Sequence, residues 1–143
     1  MRAATLGLAL GAGLAAIGAA GAVDRPEDID CATASSTPEL GWCAEQAQIA
    51  ADRALNRLLA RVRDQIKGNK ELEAGQRASW ASDLERAQSH WLAFRAADCR
   101  KVVGWEWHGG TGLGAAINGC LAAKSTARAK ELAERYNLAD APR

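Results

Sequence analysis

Three stretches of the chain carry apolar residues at helical spacing, and none alternates apolar and polar positions as a strand would. In the first, Leu55, Leu59, Val62 and Ile66 recur at steps of four, three and four, with Ala47 and Ala51 continuing the stripe backward. This predicts an amphipathic helix ending near Lys67. At its start Thr37 supplies an N-cap hydroxyl, Pro38 takes the first helical position, where no amide donor is needed, and Glu39 sits near the positive end of the dipole. Gly68-Asn69 supplies the stop and the next cap.

The second stretch starts near Lys70, with Glu71 and Glu73 in its first turn, and carries Trp80, Leu84, Ala87, Trp91 and Phe94 at steps of four, three, four and three. That spacing places all five on one helix face, and the helix should end near Val103-Gly104. The third, from about Thr111 to Tyr136, is alanine-rich, with Leu113, Ile117, Cys120, Leu121, Leu132 and Tyr136 as its bulkier apolar residues. The expected fold is all-α: an antiparallel three-helix bundle with an extended N-terminal arm, stapled by two disulfides. Residues 23–137 form one domain without internal repeats, and the charged tail 138–143 has no reason to be ordered.

Before the first helix the pattern changes twice. Arg2 is followed by an uncharged Ala/Leu/Gly run and an Ala20-Gly21-Ala22 triplet, the layout of a secretory signal peptide cleaved after Ala22. The run is about as long as a membrane span but weakly apolar, so the product is expected to be periplasmic or secreted, with no stable membrane insertion. Cys31, the first cysteine, follows Glu27-Asp28-Ile29-Asp30, which is no lipobox. Residues Val23 to Ser36 are polar and acidic and read as an arm tied down by Cys31.

Four cysteines in a short exported chain imply a disulfide framework. Cys31 and Cys43 lie twelve apart and Cys99 and Cys120 twenty-one apart, with no close pair suited to zinc or haem, so neither a metal nor a cofactor is expected. An antiparallel bundle brings all four to one end. Pairing in sequence order is favoured, since it folds the arm onto the first helix and clamps the second to the third; the other two connectivities stay open. Removal of Arg2 with the signal leaves 17 basic and 17 acidic residues. That balance offers no basic surface for nucleic acid and little steering toward a cationic protein.

The segment Trp91-Leu-Ala-Phe94-Arg95-Ala-Ala-Asp98-Cys99, then Gly109-Gly110-Thr111 and Cys120, together with Cys31, Thr37, Glu39, Cys43 and the run Ala51 to Asn56, resembles the family of small secreted proteins named after the lysozyme inhibitor LprI. The resemblance spans about Cys31 to Leu132. Leu59 stands where an aromatic is usual in that family and Lys124 where an apolar residue is usual. The resemblance implies a protein that binds lysozyme, or another envelope protein, and occupies the muramidase cleft so that its two carboxylates cannot reach the polysaccharide. A non-inhibitory envelope adapter is the alternative from a different class.

The inventory for catalysis is poor. His90 lies one step off the apolar stripe, no thiolate remains once the cysteines are bridged, and carboxylate pairs such as Glu71/Glu73 and Glu131/Glu134 fall on helix surfaces, so an enzyme is not expected. Asp52, Asn56, Arg95 and Arg128 lie within or beside apolar stripes. Antiparallel register predicts an Asp52 to Arg128 ion pair, extended by Asn56, that fixes helix register. Arg95, nearer the cysteines, is expected to bond to the arm or to carbonyls of the following loop. That loop, with Trp105, Glu106, Trp107 and His108 between glycines and beside a bridge, is the candidate partner-binding surface, because pinned loops present side chains rigidly and tryptophan is enriched among interface hot spots. The competing reading is that the tryptophans fold back to cap the bundle; Glu106 and His108 alone make a weak metal pair.

Overall fold

The computed structural model describes residues 28–138. The signal-like segment 1–22 and residues 139–143 of the tail lie outside them. Three long helices, α1 (Thr37–Gly68), α2 (Ala74–Ala97) and α4 (Leu113–Arg135), form a bundle, and the single turn α3 (Val103–Glu106) precedes the loop to α4. No strand occurs among the described residues. Cys31 is bonded to Cys43 and Cys99 to Cys120, each with Cα atoms 5.6 Å apart, so the chain is bridged in sequence order.

The start of α1 is displaced by one residue from the expected cap. Ser36 is the N-cap, with its Oγ accepting the Glu39 amide, while the Glu39 carboxylate accepts from the Ser36 amide at 2.9 Å and the Ser35 amide at 3.1 Å. This reciprocal box satisfies amides that the first helical turn leaves free, and it outcompetes Thr37, which has no acid three residues on. The Ser36 and Ser35 bonds hold the Glu39 carboxyl below its ordinary pKa.

Helix α1 stops where expected, with the Asn69 amide donating to the Ile66 carbonyl. The next helix starts four residues later than the sequence suggested. Asn69 Oδ1 instead accepts the Glu71 amide at 2.9 Å, and Arg77 reaches back to the carbonyls of Asn69 and Leu72, so 69–73 is a tied-down connection rather than a first turn.

The core is formed mainly between α1 and α4. Leu55, Leu58, Leu59, Val62 and Ile66 meet Ala129, Leu132 and Ala133, and α2 adds Leu84 with Trp80, Ala81 and Trp91 packed around it. A fully buried leucine contributes roughly 1.5–3 kcal/mol, so this seam supplies most of the apolar stabilisation. Leu59 is only 2% exposed; an aliphatic side chain fills the position.

Three residues assigned to apolar stripes are exposed: Ala47, Ala87 and Phe94. The inward face of α2 runs instead through Leu84, Gln88, Trp91, Arg95 and Cys99, because two polar side chains there find partners across the bundle. Phe94 lies to one side with Lys124 Nζ 5.0 Å above its ring, and Lys124 also pairs with Asp98 at 2.8 Å. A charged residue at 124 is accommodated by an acid and an aromatic face rather than by a core.

The second helix does not end at Val103-Gly104. It widens into a π-helical turn, Asp98–Val102, in which the Val103 amide bonds the Asp98 carbonyl, and then continues as α3 with Gly104 inside it. Cys99, in the wide turn, is fully buried against α4. At the opposite end α4 closes with Asn137 left-handed at φ 49°, the Leu138 amide donating to Ala133 O at 2.9 Å and that of Asn137 to Glu134 O at 3.3 Å. This cap brings Leu138 onto the core, while Tyr136 stacks on Trp80 with ring centroids 6.1 Å apart.

Candidate functional site

The loop between α3 and α4 is built from consecutive tight turns. The amides of Trp107, His108 and Gly110 donate to the carbonyls of Val103, Trp105 and Trp107 at 3.1, 3.3 and 3.2 Å, and Leu113 closes back onto Gly110 at 3.0 Å. His108 and Gly109 both take positive φ, 49° and 77°, a conformation glycine adopts without strain. The Cys99–Cys120 bridge joins the wide turn that precedes α3 to α4, so the elements on either side of the loop are linked.

The two tryptophans differ: Trp105 lies within α3 and Trp107 directly after it. Trp107 is 48% exposed, and its six-membered ring lies so close to Gly112 that a Cβ there would come within 2.6 Å of Cζ3. It is half folded back. Trp105 is 81% exposed, the most exposed of the large apolar side chains among the described residues. Glu106 and His108 are also exposed, and His108 Nδ1 lies 3.2 Å from the Glu106 carbonyl oxygen. The segment therefore presents an indole, a carboxylate and an imidazole on hydrogen-bonded turns.

The polar positions within the stripes form two networks across the helices. Arg95 of α2 donates through Nη1 to both Asp52 of α1 and Ser125 of α4. Ser125 Oγ donates to Asp52 Oδ1 at 2.6 Å and Gln48 Nε2 to Oδ2 at 3.1 Å, while the guanidinium lies 5.3 Å from the Trp91 ring centre. Burial works against ionisation of Asp52, but the bonds from Arg95, Ser125 and Gln48 and the Arg95 charge outweigh it and hold its carboxyl below the ordinary value.

The expected Asp52 to Arg128 pair is not formed. Arg128 is buried lower in the bundle, where Nε donates to Gln88 Oε1 at 3.4 Å and Nη1 to Glu131 Oε2 at 2.8 Å. Arg95 claims Asp52 because it stands at the level of that carboxylate on the facing helix; it therefore does not bond to the arm or the loop. Asn56 is exposed and stands outside the network, since the inward residues of that turn are Ala54, Leu55 and Leu58. Ser125, Gln48 and Gln88 were not anticipated. Ser125 lies four residues from both Leu121 and Ala129, so the stripe of α4 did point to it.

Among the described residues, one group has three side chains close enough to hold a metal: Asp98, Cys99 and Cys120, with ligand atoms within 4.8 Å. Both sulfurs are committed to the disulfide and Asp98 to Lys124, so the set does not fit a cation. No helix there is long and apolar enough to cross a membrane.

The comparisons with known proteins agree with this architecture. The chain is 34% identical over 116 residues to a protein of Rhizobium meliloti (strain 1021) described as uncharacterized, an alignment covering 77% of this chain and 82% of that one. No solved structure matches it. Residues 30–132, from just before the first bridge to the last core leucine of α4, match the family described as lysozyme inhibitor LprI. With four bridged cysteines and the inward Arg95 inside that span, the chain belongs to the LprI family.

Proposed function

We propose that this protein is exported through the segment 1–22 and inhibits a lysozyme by placing the loop Trp105–His108 in the mouth of the muramidase cleft. The observation that carries the reading is Trp105, 81% exposed on a turn with a disulfide at its base. An ordered indole loses little conformational freedom on binding and buries a large area, as interface anchors do. Glu106 beside it adds a carboxylate that a cleft lined with hydrogen-bond donors for sugar hydroxyls would accept. Two disulfides and membership of a lysozyme-inhibitor family fit an extracytoplasmic location.

The test is a turbidity assay of lysozyme on bacterial cell walls with purified mature protein and its Trp105→Ala variant. Inhibition by the wild type, lost in the variant while helicity and melting temperature hold, is the expected result. Equal inhibition by both would move the contact surface to the helix faces, and no inhibition by the wild type would favour an envelope adapter.

A further inference from the structure

Lys101 and Trp105 stand on one side of the helical stretch that runs from α2 through the wide turn into α3. Cys99, fully buried, and Val103, partly buried, mark the inner side of that stretch. Two residues make about half a turn, so Lys101 and Trp105, each two positions further on, point away from the bundle, and both are exposed. Four residues apart on a helix, they are surface neighbours with Cβ atoms roughly 5–6 Å from each other. The bridge from Cys99 to Cys120 of α4 anchors the turn two residues from Lys101. Asp98, the acid three residues before Lys101, is taken by Lys124 at 2.8 Å, which leaves Lys101 without an ion pair among the described residues. No other unpaired cation has this setting. Arg53, Arg57, Lys67 and Lys70 lie on α1 or just after it, where no aromatic side chain is exposed, and Arg100 is turned about a quarter of the way round the helix from Lys101.

We propose that Lys101 is a specificity-determining contact: as the Trp105 indole enters the mouth of a muramidase cleft, the Lys101 ammonium pairs with the catalytic carboxylates there. The assignment rests on the inhibitor reading above and names the group in the cleft that the protein recognises. A muramidase turns two carboxylates toward its substrate, one of them ionised near neutral pH, in a cleft shaped for sugar rings. An indole fills a sugar-sized space, and the ammonium beside it is complementary to the carboxylates. With 18 basic and 17 acidic residues the chain has almost no net charge, so attraction has to come from a local pair rather than from a long-range field. The four-carbon stem of lysine lets its charge reach past the helix surface, and the disulfide beneath limits the freedom lost on binding.

Calorimetric titration of the mature protein with a c-type lysozyme, and with the same enzyme bearing asparagine in place of its ionised catalytic aspartate, tests the pairing beside the turbidity assay. Lys101→Gln should weaken binding to the unaltered enzyme about tenfold or more, and Lys101→Glu should abolish it, with helicity and melting temperature held. Arg100→Gln removes the same charge from another side of the helix and should bind as the wild type does. Against the asparagine enzyme the wild type should lose affinity, whereas Lys101→Gln should lose nothing further because its pair is already broken. If Lys101→Gln binds the unaltered enzyme as well as the wild type while Trp105→Ala does not, the role of Lys101 is overturned and the inhibitor reading stands. Equal losses from Lys101→Gln and Arg100→Gln, or equal losses of wild type and Lys101→Gln on the asparagine enzyme, would overturn it in the same way. A wild type that neither binds nor inhibits would overturn both.

Discussion

Arg95 and Asp52, on α2 and α1, form a two-point contact: Nη1 donates to Oδ1 and Nη2 reaches Oδ2 at 3.5 Å, with side chains only 12% and 27% exposed. Ser125 of α4 bonds both partners, so one contact ties three helices at one level. The network fixes register where the core offers little: α2 contributes few buried apolar side chains, and its inward face at this level is Trp91 and Arg95. Apolar burial alone would tolerate a slide of α2 along the α1/α4 seam, whereas a guanidinium out of register leaves a buried charge unpaired.

Asp52→Asn should therefore cost about 3 kcal/mol, at the low end for removing one partner of a buried ion pair, because the site retains some solvent access. Denaturant unfolding of the two proteins measures it. Replacing Arg95 by Met in the same background should recover part of the loss by removing the stranded charge. No recovery would mean that Arg95 contributes through its packing on Trp91.

The same carboxyl gives a pH dependence. Its folded pKa lies below its unfolded value, so ionised Asp52 stabilises the fold above the ordinary carboxylate range, and that stability disappears as pH falls through the folded pKa. Glu85, lowered by its bonds to Arg63, acts in the same direction. The melting temperature should be flat near neutrality and fall in acid. In Asp52→Asn the acid-side fall should be shallower; an identical profile would assign the acid sensitivity to other carboxyls.

How much of this was legible in the sequence depends on the kind of signal. Leu55, Leu59, Val62 and Ile66 announce α1 because four large apolar residues at helical steps have few alternatives, and an antiparallel bundle that gathers four cysteines at one end made the observed bridges the favoured pair. On α2 the stripe was misplaced at Ala87 and Phe94, since an apolar count passes over Gln88 and identifies Arg95 as an inward polar residue without its partner. Partners on other helices decide their burial, and those are invisible along one chain. The exchange of Arg128 for Arg95 at Asp52 has the same origin: helical steps locate a residue on its own face, but relative helix heights depend on the whole bundle. The loop was identified by its residue types, yet the difference between Trp105 and Trp107 arises from a single close approach to Gly112.

That approach is testable. Gly112→Ala is compatible with the backbone, since φ there is −79°, but the new methyl would collide with the Trp107 ring. The ring should swing out, visible as a shifted indole signal in NMR and greater quenching of fluorescence. The melting temperature should change little, because the ring is already half exposed. An unmoved indole with a marked loss of stability would mean that the loop backbone, rather than the ring, gives way.

Trp91→Ala should cost about 3 kcal/mol, the lower end for deleting a large aromatic side chain, because Trp91 packs on the core but is not fully buried. It also removes the aromatic face under Arg95. A shift in the denaturation midpoint well below that would place most of the ring in solvent.

The two bridges should differ in how they respond to reductant. Cys31 is exposed on the arm, whereas Cys99 is 0% exposed in the wide turn. An attacking thiolate needs access to a sulfur, so dithiothreitol should open Cys31–Cys43 first, freeing the arm while the bundle keeps its helicity. Cys99–Cys120 should open only on a timescale set by unfolding. Its loss, as in Cys99→Ala with Cys120→Ala, should cost about 3 kcal/mol, because it closes the longer loop and holds α2 to α4 where apolar contact between them is sparse. Timed alkylation with mass mapping reads the order directly. Labelling of Cys99 and Cys120 before Cys31 and Cys43 would show that the wide turn opens locally, and the rigid support assumed for the tryptophan loop would then be lost with it.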